Sequence, residues 1–206
     1  MLYRFKSQAT HDLILLQADG EIVFDSQLRV CWGGGPVARL LPSGDILAPK
    51  VEARLLQDLA LQPGDSVLEI GTGSGYLAAL MARQCASVVS LEIDPALAQQ
   101  ARANLQAAGV KNVEVRTADA TADQFAACNA GAPFDAIVLG GSVAEVPAEL
   151  TALLAEGGRL FAIVGQAPMM RATIIARRGN GFHTSQPWDT VAPRLQHFVE
   201  PSRFAF

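Results

Sequence analysis

Ten consecutive residues hold most of the chemical content of the chain: Val67-Leu68-Glu69-Ile70-Gly71-Thr72-Gly73-Ser74-Gly75-Tyr76. They read as a strand, a glycine-rich turn and a helix start. Glycines at 71, 73 and 75 let a ligand come against the backbone, because no Cβ stands in the way. In an open α/β sheet such a turn lies at the carboxyl end of a strand, where ligands bind. Glu69 stands two positions before the first glycine, and Glu92 ends a second apolar run 17 residues after Gly75. Asp119 follows a third run. A carboxylate at Glu92 can accept both hydroxyls of a ribose. One at Asp119 can accept from the amino group of a base, and one at Glu69 suits a positive group.

A dinucleotide-binding turn is spaced GxGxxG so that a helix N-terminus faces a pyrophosphate. Here the spacing is GxGxG, and Glu69 would repel a phosphate. S-adenosylmethionine (SAM) carries an ammonium, a sulfonium and no phosphate, so it suits these residues better than NAD. Thr72 and Ser74 within the turn, Tyr76 after it, Ile93 beside Glu92 and Ala120 beside Asp119 complete the candidate set. Each has a plainer alternative: a tight strand–helix joint for the glycines, a strand-end charge for Glu92, a helix cap for Asp119, and packing on the sheet for Tyr76.

The elements that must position these residues follow from the pattern. From Pro49 onward helix and strand alternate. Val51, Leu55, Leu56 and Leu59 recur at helical spacing after a proline suited to a first turn. Strands are expected at 66–70, 87–92, 113–117, 134–139 and 159–164. Helices are expected at 75–84, at 95–108 behind an Asp94 cap, at 147–155 stopped by Gly157-Gly158, and in short form within 120–128. Apolar rather than alternating strands imply a mostly parallel sheet, seven-stranded and Rossmann-like, with helices on both faces. Ala172–Arg177 and Phe182–Thr184, joined by Gly179-Asn180-Gly181, should add an antiparallel edge. Residues 1–43 read as an N-terminal cap. One β-hairpin is expected there, since Asp19-Gly20 lies between two apolar runs. Residues 44–206 form the second unit.

Composition narrows the function. Charged residues are 17% of the 206, against about 25% in ordinary domains, which excludes global disorder. Net charge is −4 and no basic run exceeds Arg177-Arg178, so nucleic acid is not an expected partner. Cys31, Cys85 and Cys128 are scattered and read as reduced thiols, and no Cys/His cluster suggests a metal. The apolar run before Gln17 is short for a signal peptide and no stretch is long enough to span a membrane, which predicts a soluble, cytoplasmic protein. His11, His183 and His197 lack ligand spacing and read as surface or structural. Ser142 reads as a loop residue near the ligand edge, Lys50 and Arg54 as a solvated helix face, and Met169, Met170 and Trp188 as packing residues. Oligomeric state is not legible.

The block Leu61-Gln62-Pro63-Gly64-Asp65 running into Ser66–Tyr76 resembles the class I SAM-dependent methyltransferases, and more narrowly the protein-L-isoaspartate O-methyltransferase family. Ala132-Pro133-Phe134-Asp135-Ala136-Ile137-Val138, Gly157-Gly158-Arg159-Leu160 and Val164-Gly165 echo two further strands of that family. The likeness runs from about Gly44 to the C-terminus. Leu47 to Lys50 and Met170 to Thr173 are similar to segments of a bacterial subgroup. The resemblance implies that Glu69, Gly71, Gly73 and Gly75 line the methionine end of SAM. It also implies that Glu92 holds the ribose and that Asp119 with Ala120 holds the adenine. The family's reaction methylates the carboxylate of an isoaspartyl residue, and the ester then closes to a succinimide. Such a nucleophile is already ionised near pH 7, so alignment and desolvation supply the rate. Two departures stand out. Ala48 replaces the serine of the family's Gly-Gln-Thr-Ile-Ser-Gln-like segment, and residues 1–43 carry a hairpin pattern where the family has helices. A different methyl acceptor, such as another carboxylate, and SAM binding without turnover therefore stay open.

Overall fold

The computed structural model describes residues 47, 49–121 and 131–200, together with the backbone of four strands in the first 33 residues. Those strands are β1 (Phe5–Ser7), β2 (Leu13–Gln17), β3 (Gly20–Phe24) and β4 (Val30–Gly33), paired antiparallel in the order β1-β2-β3-β4. The expected hairpin is β2–β3, with Gln17 opposite Gly20. It is one part of a four-stranded meander rather than a lone hairpin.

The remaining elements alternate. They are α1 (Pro49–Leu59), β5 (Ser66–Ile70), α2 (Tyr76–Ala82), β6 (Ser87–Glu92), α3 (Pro95–Ala107), β7 (Val113–Thr117), β8 (Phe134–Val143), α4 (Ala148–Ala152), β9 (Leu154–Gln166), β10 (Met169–Arg178) and β11 (Gly181–Thr190). The expected helix within 120–128 falls almost wholly outside the described residues. The second sheet has seven strands in the order β11-β10-β9-β8-β5-β6-β7. β8, β5, β6, β7 and β9 pair in parallel, while β10 and β11 add the antiparallel edge.

The parallel strands are apolar because both their faces are covered. Val67 of β5 packs in one cluster with residues of α1, α2 and α3, while its neighbours Leu68 and Ile70 pack in the other with Leu150 and Phe198. Ala136 and Val138 of β8 likewise face one way, Ile137 and Leu139 the other. Asp94 caps α3 by accepting from the N–H groups of Ala96 (2.7 Å) and Leu97 (3.2 Å), with Pro95 in the first turn.

Two expected boundaries move, and glycines explain both. The helix read as running to 155 ends at Ala152, and β9 starts at Leu154 rather than 159. Gly157-Gly158 does not stop that helix; it forms a bulge inside β9, between the pairs Phe134/Leu154 and Ala136/Arg159. A Cβ on Gly158 would come within 2.9 Å of the Ala155 carbonyl oxygen. β8 runs on to Val143 through a second bulge at Gly140-Gly141, between Val138/Phe161 and Ser142/Ile163. Ser142 is thus a strand residue, not a loop residue.

Arg159 ties α1 to the sheet. Its guanidinium donates to the carbonyl oxygens of Leu59 and Ala60 at the end of α1, to the Asp135 carbonyl, and to Asp65 Oδ2 at 2.8 Å. A cation at a helix C-terminus meets the carbonyls that have no partner within the helix. Trp188 of β11 adds a second tie, donating to Asp58 at 2.6 Å and packing on Phe161. The expected effect of Arg159→Met is a loss of about 2–3 kcal/mol in urea unfolding, because Asp65 and two helix-end carbonyls lose their donor together. An unchanged midpoint would mean that water replaces the guanidinium without cost.

Candidate active site

The glycine turn joins β5 to α2 with Gly71, Gly73 and Gly75 all at positive φ, at 90°, 55° and 83°. A side chain at any of them would be strained. Space is limited as well. A Cβ on Gly140, at the β8 bulge, would stand 2.4 Å from the Gly71 carbonyl oxygen, and one on Gly75 would meet Leu105 and Ala101 of α3 at 3.3–3.4 Å.

Four amides of the turn already have protein acceptors. Gly71 and Thr72 donate to the Leu91 carbonyl at 2.8 and 3.3 Å, Gly73 to Glu92 Oε2 at 2.8 Å, and Gly75 to the Thr72 carbonyl at 2.9 Å. In a pyrophosphate-binding turn such amides face the phosphates. Here Glu92 takes the Gly73 amide, and its second oxygen accepts from the Asp94 amide at 3.1 Å. The carboxylate is held rigidly at the end of β6.

A cavity of about 500 Å³ opens beside the turn, at the carboxyl ends of β5, β6, β7 and β8. That volume lies in the range of small-molecule sites. Among the predicted residues, Gly71, Gly73, Glu92, Ile93, Asp119 and Ala120 line it. Glu69, Thr72, Ser74, Gly75 and Tyr76 do not. They lie in and behind the turn, where Glu69, Thr72 and Tyr76 are buried. Thr72 Oγ1 and Ser90 Oγ share a 2.6 Å hydrogen bond, and Ser90 Oγ donates to Glu69 Oε2. Glu69 Oε1 has no partner. Burial pushes the Glu69 carboxyl up to about 8; the Ser90 hydrogen bond opposes this and the nearby Glu92 adds to it.

Asp119 reaches the cavity with its acceptors already engaged. Oδ1 accepts from the Thr121 amide (2.9 Å) and hydroxyl (2.7 Å), and Oδ2 pairs with His197 Nδ1. Burial works against its charge, but the hydrogen bonds from His197 and Thr121 hold it below the usual carboxylate range. His197, read from the sequence as a surface or structural residue, is therefore a neighbour of the site. Its segment supplies one wall: Pro193, Arg194, Leu195, Gln196 and Phe198 all line the cavity. Ser142 holds that wall in place, exchanging backbone hydrogen bonds with Pro193 and Leu195 and donating Oγ to the carbonyls of Ala192 and Pro193. With its hydroxyl so engaged, Ser142 is a positioning residue. Arg194 is the single cation among the described lining residues, and it pairs with Glu200 at 2.8 Å. Arg54 lies over the Trp188 ring, 4.8 Å from its centroid, rather than in the cavity. Ala48 lies outside the described residues, and the side chain of Lys50 is likewise not described.

No motif announced the 193–198 wall, because it is set by contacts some fifty residues away in sequence. Glu52 was also missed. It is buried on α1, on the same stripe as Leu55, Leu56 and Leu59. A lone carboxylate on an apolar helical stripe is the signal that identifies it.

Comparison with known proteins decides the family. The model of protein-L-isoaspartate(D-aspartate) O-methyltransferase (PCMT) matches residues 40–192. The chain belongs to this family. It is 41% identical over 145 residues to the protein-L-isoaspartate O-methyltransferase of Methanoregula boonei, covering 69% of this chain and 65% of that one. It is 43% identical over 136 residues to one from Anaeromyxobacter sp., covering 66% and 62%. The chain thus spans slightly less than two thirds of the length of these relatives. One from Methylorubrum populi is 35% identical over 181 residues, covering 84% and 81%. Among solved structures, a Plasmodium falciparum protein assigned to this enzyme and crystallised with S-adenosyl-L-homocysteine superposes with a TM-score of 0.60. It is 25% identical, and the match covers 72% of this chain and 75% of that one. The fold of this PCMT member is that of the class I SAM-dependent methyltransferases, Rossmann-like with an antiparallel edge.

The Glu69 carboxyl generates a pH dependence. Its pKa is higher in the folded chain (about 8) than in the unfolded chain (near the ordinary 4.5), so the folded state holds more protons between these values. The ligand-free protein should be most stable at the acid end of this window and lose stability as pH rises through it, Glu69 alone contributing at most about 1.4 kcal/mol per unit. Urea unfolding at mildly acid and mildly alkaline pH checks this, and Glu69→Gln should shrink the difference to what Glu52, also raised by burial, contributes. A wild-type profile that is flat or rises would show that Glu69 is ionised in the folded chain.

Proposed function

We propose that the chain transfers a methyl group from SAM to the carboxylate of an isoaspartyl residue in a peptide or protein. The observation that carries this is the union, in a PCMT chain, of a glycine turn whose Gly73 amide donates to Glu92 with a cavity edged by Glu92 and Asp119.

The residues fit SAM. The cavity has two carboxylates against one guanidinium, whose Nε is paired with Glu200, which disfavours a pyrophosphate and suits a ligand rich in donors. Each Glu92 oxygen has a lone pair left for a ribose hydroxyl. Asp119 with Ala120 would face the adenine, His197 sharing the Asp119 carboxylate. Glu69, behind Gly71, would serve the methionine end. When bound, SAM supplies an electrophilic methyl group. The chain itself supplies position and dryness. Leu195 lies against Gly71 and Gly141, so that a Cβ on either glycine would come within 2.9 Å of its side chain. With Phe198 it gives the cavity an apolar wall. No general base is needed, because the accepting carboxylate is ionised near pH 7.

The division into a cap (1–43) and a catalytic unit (44–206) belongs to this proposal. It is supported by the separate four-stranded sheet and by a family match that begins at residue 40. A cytoplasmic location is proposed from the kind of protein substrate; no described helix is long and apolar enough to cross a membrane. A second reading rests on Ala48, which cannot hydrogen-bond where the family's serine can. In that reading the same cofactor site serves another methyl acceptor.

Labelled SAM offered with an isoaspartyl peptide and its normal-aspartyl twin tests the activity. Transfer to the isoaspartyl peptide alone is expected. Binding of SAM without transfer to either would favour the second reading. For the pocket, Gly73→Val and Glu92→Ala should each weaken SAM binding at least about tenfold in calorimetry, one lost charge-assisted contact being worth at least that. Unchanged affinity in both would place the cofactor elsewhere.

A further inference from the structure

Behind the glycine turn, three elements each bring in a buried polar atom with no hydrogen-bond partner: Glu52 Oε2 from α1, Glu69 Oε1 from the end of β5, and the Tyr76 hydroxyl from the start of α2. Their relative exposures are 1%, 0% and 1%. A buried polar atom without a partner is destabilising, so three together are not a neutral packing choice. They also sense one another. Glu69 raises the Glu52 carboxyl and Glu52 raises the Tyr76 phenol, in each case after burial itself. Glu92 is the further charge that bears on Glu69, and Ser90 its hydrogen-bond donor. Two carboxyls this dry cannot both ionise unless a cation joins them. Ile70 and Gly71, next to Glu69 in the chain, line the cofactor cavity.

We propose that Glu52 is a further cofactor-binding residue, which with Glu69 and Tyr76 forms an acidic recess behind the turn that takes the ammonium group at the amino-acid end of the cofactor. This rests on the cofactor site proposed above and deepens it. The ammonium has three N–H donors for three unpartnered oxygens. Its arrival at neutral pH drives one proton off the carboxyl pair, because the new positive charge favours the ionised form. The recess therefore reads the amino-acid end and leaves recognition of the adenosine to Glu92 and Asp119.

The probes are S-adenosylhomocysteine, which carries the ammonium, and 5′-methylthioadenosine, which lacks the amino-acid end. Calorimetry in buffers of different ionisation heat counts protons. For the wild type, close to one proton should leave on binding S-adenosylhomocysteine at neutral pH and none on binding 5′-methylthioadenosine. Glu52→Leu should bind the first at least about tenfold more weakly and the second within about twofold of wild type. Glu52→Gln keeps an acceptor oxygen and should retain most of the affinity, with Glu69 still giving up its proton to the arriving ammonium. Equal proton counts for the two ligands overturn the proposal even if no variant folds. So does a folded Glu52→Leu that binds S-adenosylhomocysteine as wild type does, or that loses both ligands equally. A wild type that binds neither ligand overturns the cofactor site itself, and the recess with it. Binding of 5′-methylthioadenosine alone keeps the nucleoside pocket and overturns only the recess.

Discussion

The rest of the structure depends on how closely two backbones pass at the carboxyl end of the sheet. Gly71, leaving β5, and Gly140, in the bulge of β8, leave no room for a Cβ between them. β5 is the strand from which the order runs outward in both directions, through β6 and β7 on one side and β8 and β9 on the other. A crevice forms at such a switch point, because successive connections leave on opposite faces. The two glycines bring its sides together at the base, and the cavity widens from there over β6 and β7. A methyl group on Gly140 would push β8 from β5 and with it Ser142, whose hydrogen bonds hold the 193–198 wall.

Most of the sheet was legible because its strands are short apolar runs bounded by strong punctuation. Pro63-Gly64-Asp65 precedes β5, Asp94-Pro95 opens α3, and Gly179-Asn180-Gly181 turns β10 into β11. Burial on both faces removes alternation and replaces it with continuity, which is as clear a signal. The misjudged boundaries share a cause. Gly140-Gly141 and Gly157-Gly158 have the composition of loops, yet both sit in strands as bulges. What fixes them is a close approach by distant backbone, Gly71 in one case and Phe134 in the other. A glycine that relieves a local turn and one that admits a distant neighbour look alike in a sequence.

The site divides in the same way. Glu92 and Asp119, which the structure places at the cavity edge, were singled out by counting strands. Tyr76 and Glu69 were found through the motif, but their position behind the turn was not. A GxGxG pattern states that backbone comes close to something, not which side of the turn that something occupies. The 193–198 segment has neither periodicity nor a conspicuous residue pattern. It belongs to the site only because Ser142 and Leu195 attach it to β8 and to the turn. His197 became a neighbour of the site by the same attachment.

The sign of the ligand's charge follows from how the turn satisfies its own amides. An amide cluster at a strand–helix joint carries partial positive charge and ordinarily seeks an anion. In this chain the anion is internal. Glu92 accepts from Gly73, while carbonyls of Leu91 and Thr72 take three more of the amides. With four amides of the turn already satisfied and Glu92 and Asp119 edging the cavity, the charge that faces it is mostly negative. A phosphate would meet repulsion from Glu92 and Asp119. A ligand with a positive end and a neutral, donor-rich body gains at both. In this chain the turn's Gly73 amide is already given to the carboxylate at the end of the second strand, so the turn offers a guest fewer free donors than a GxGxxG turn offers a pyrophosphate.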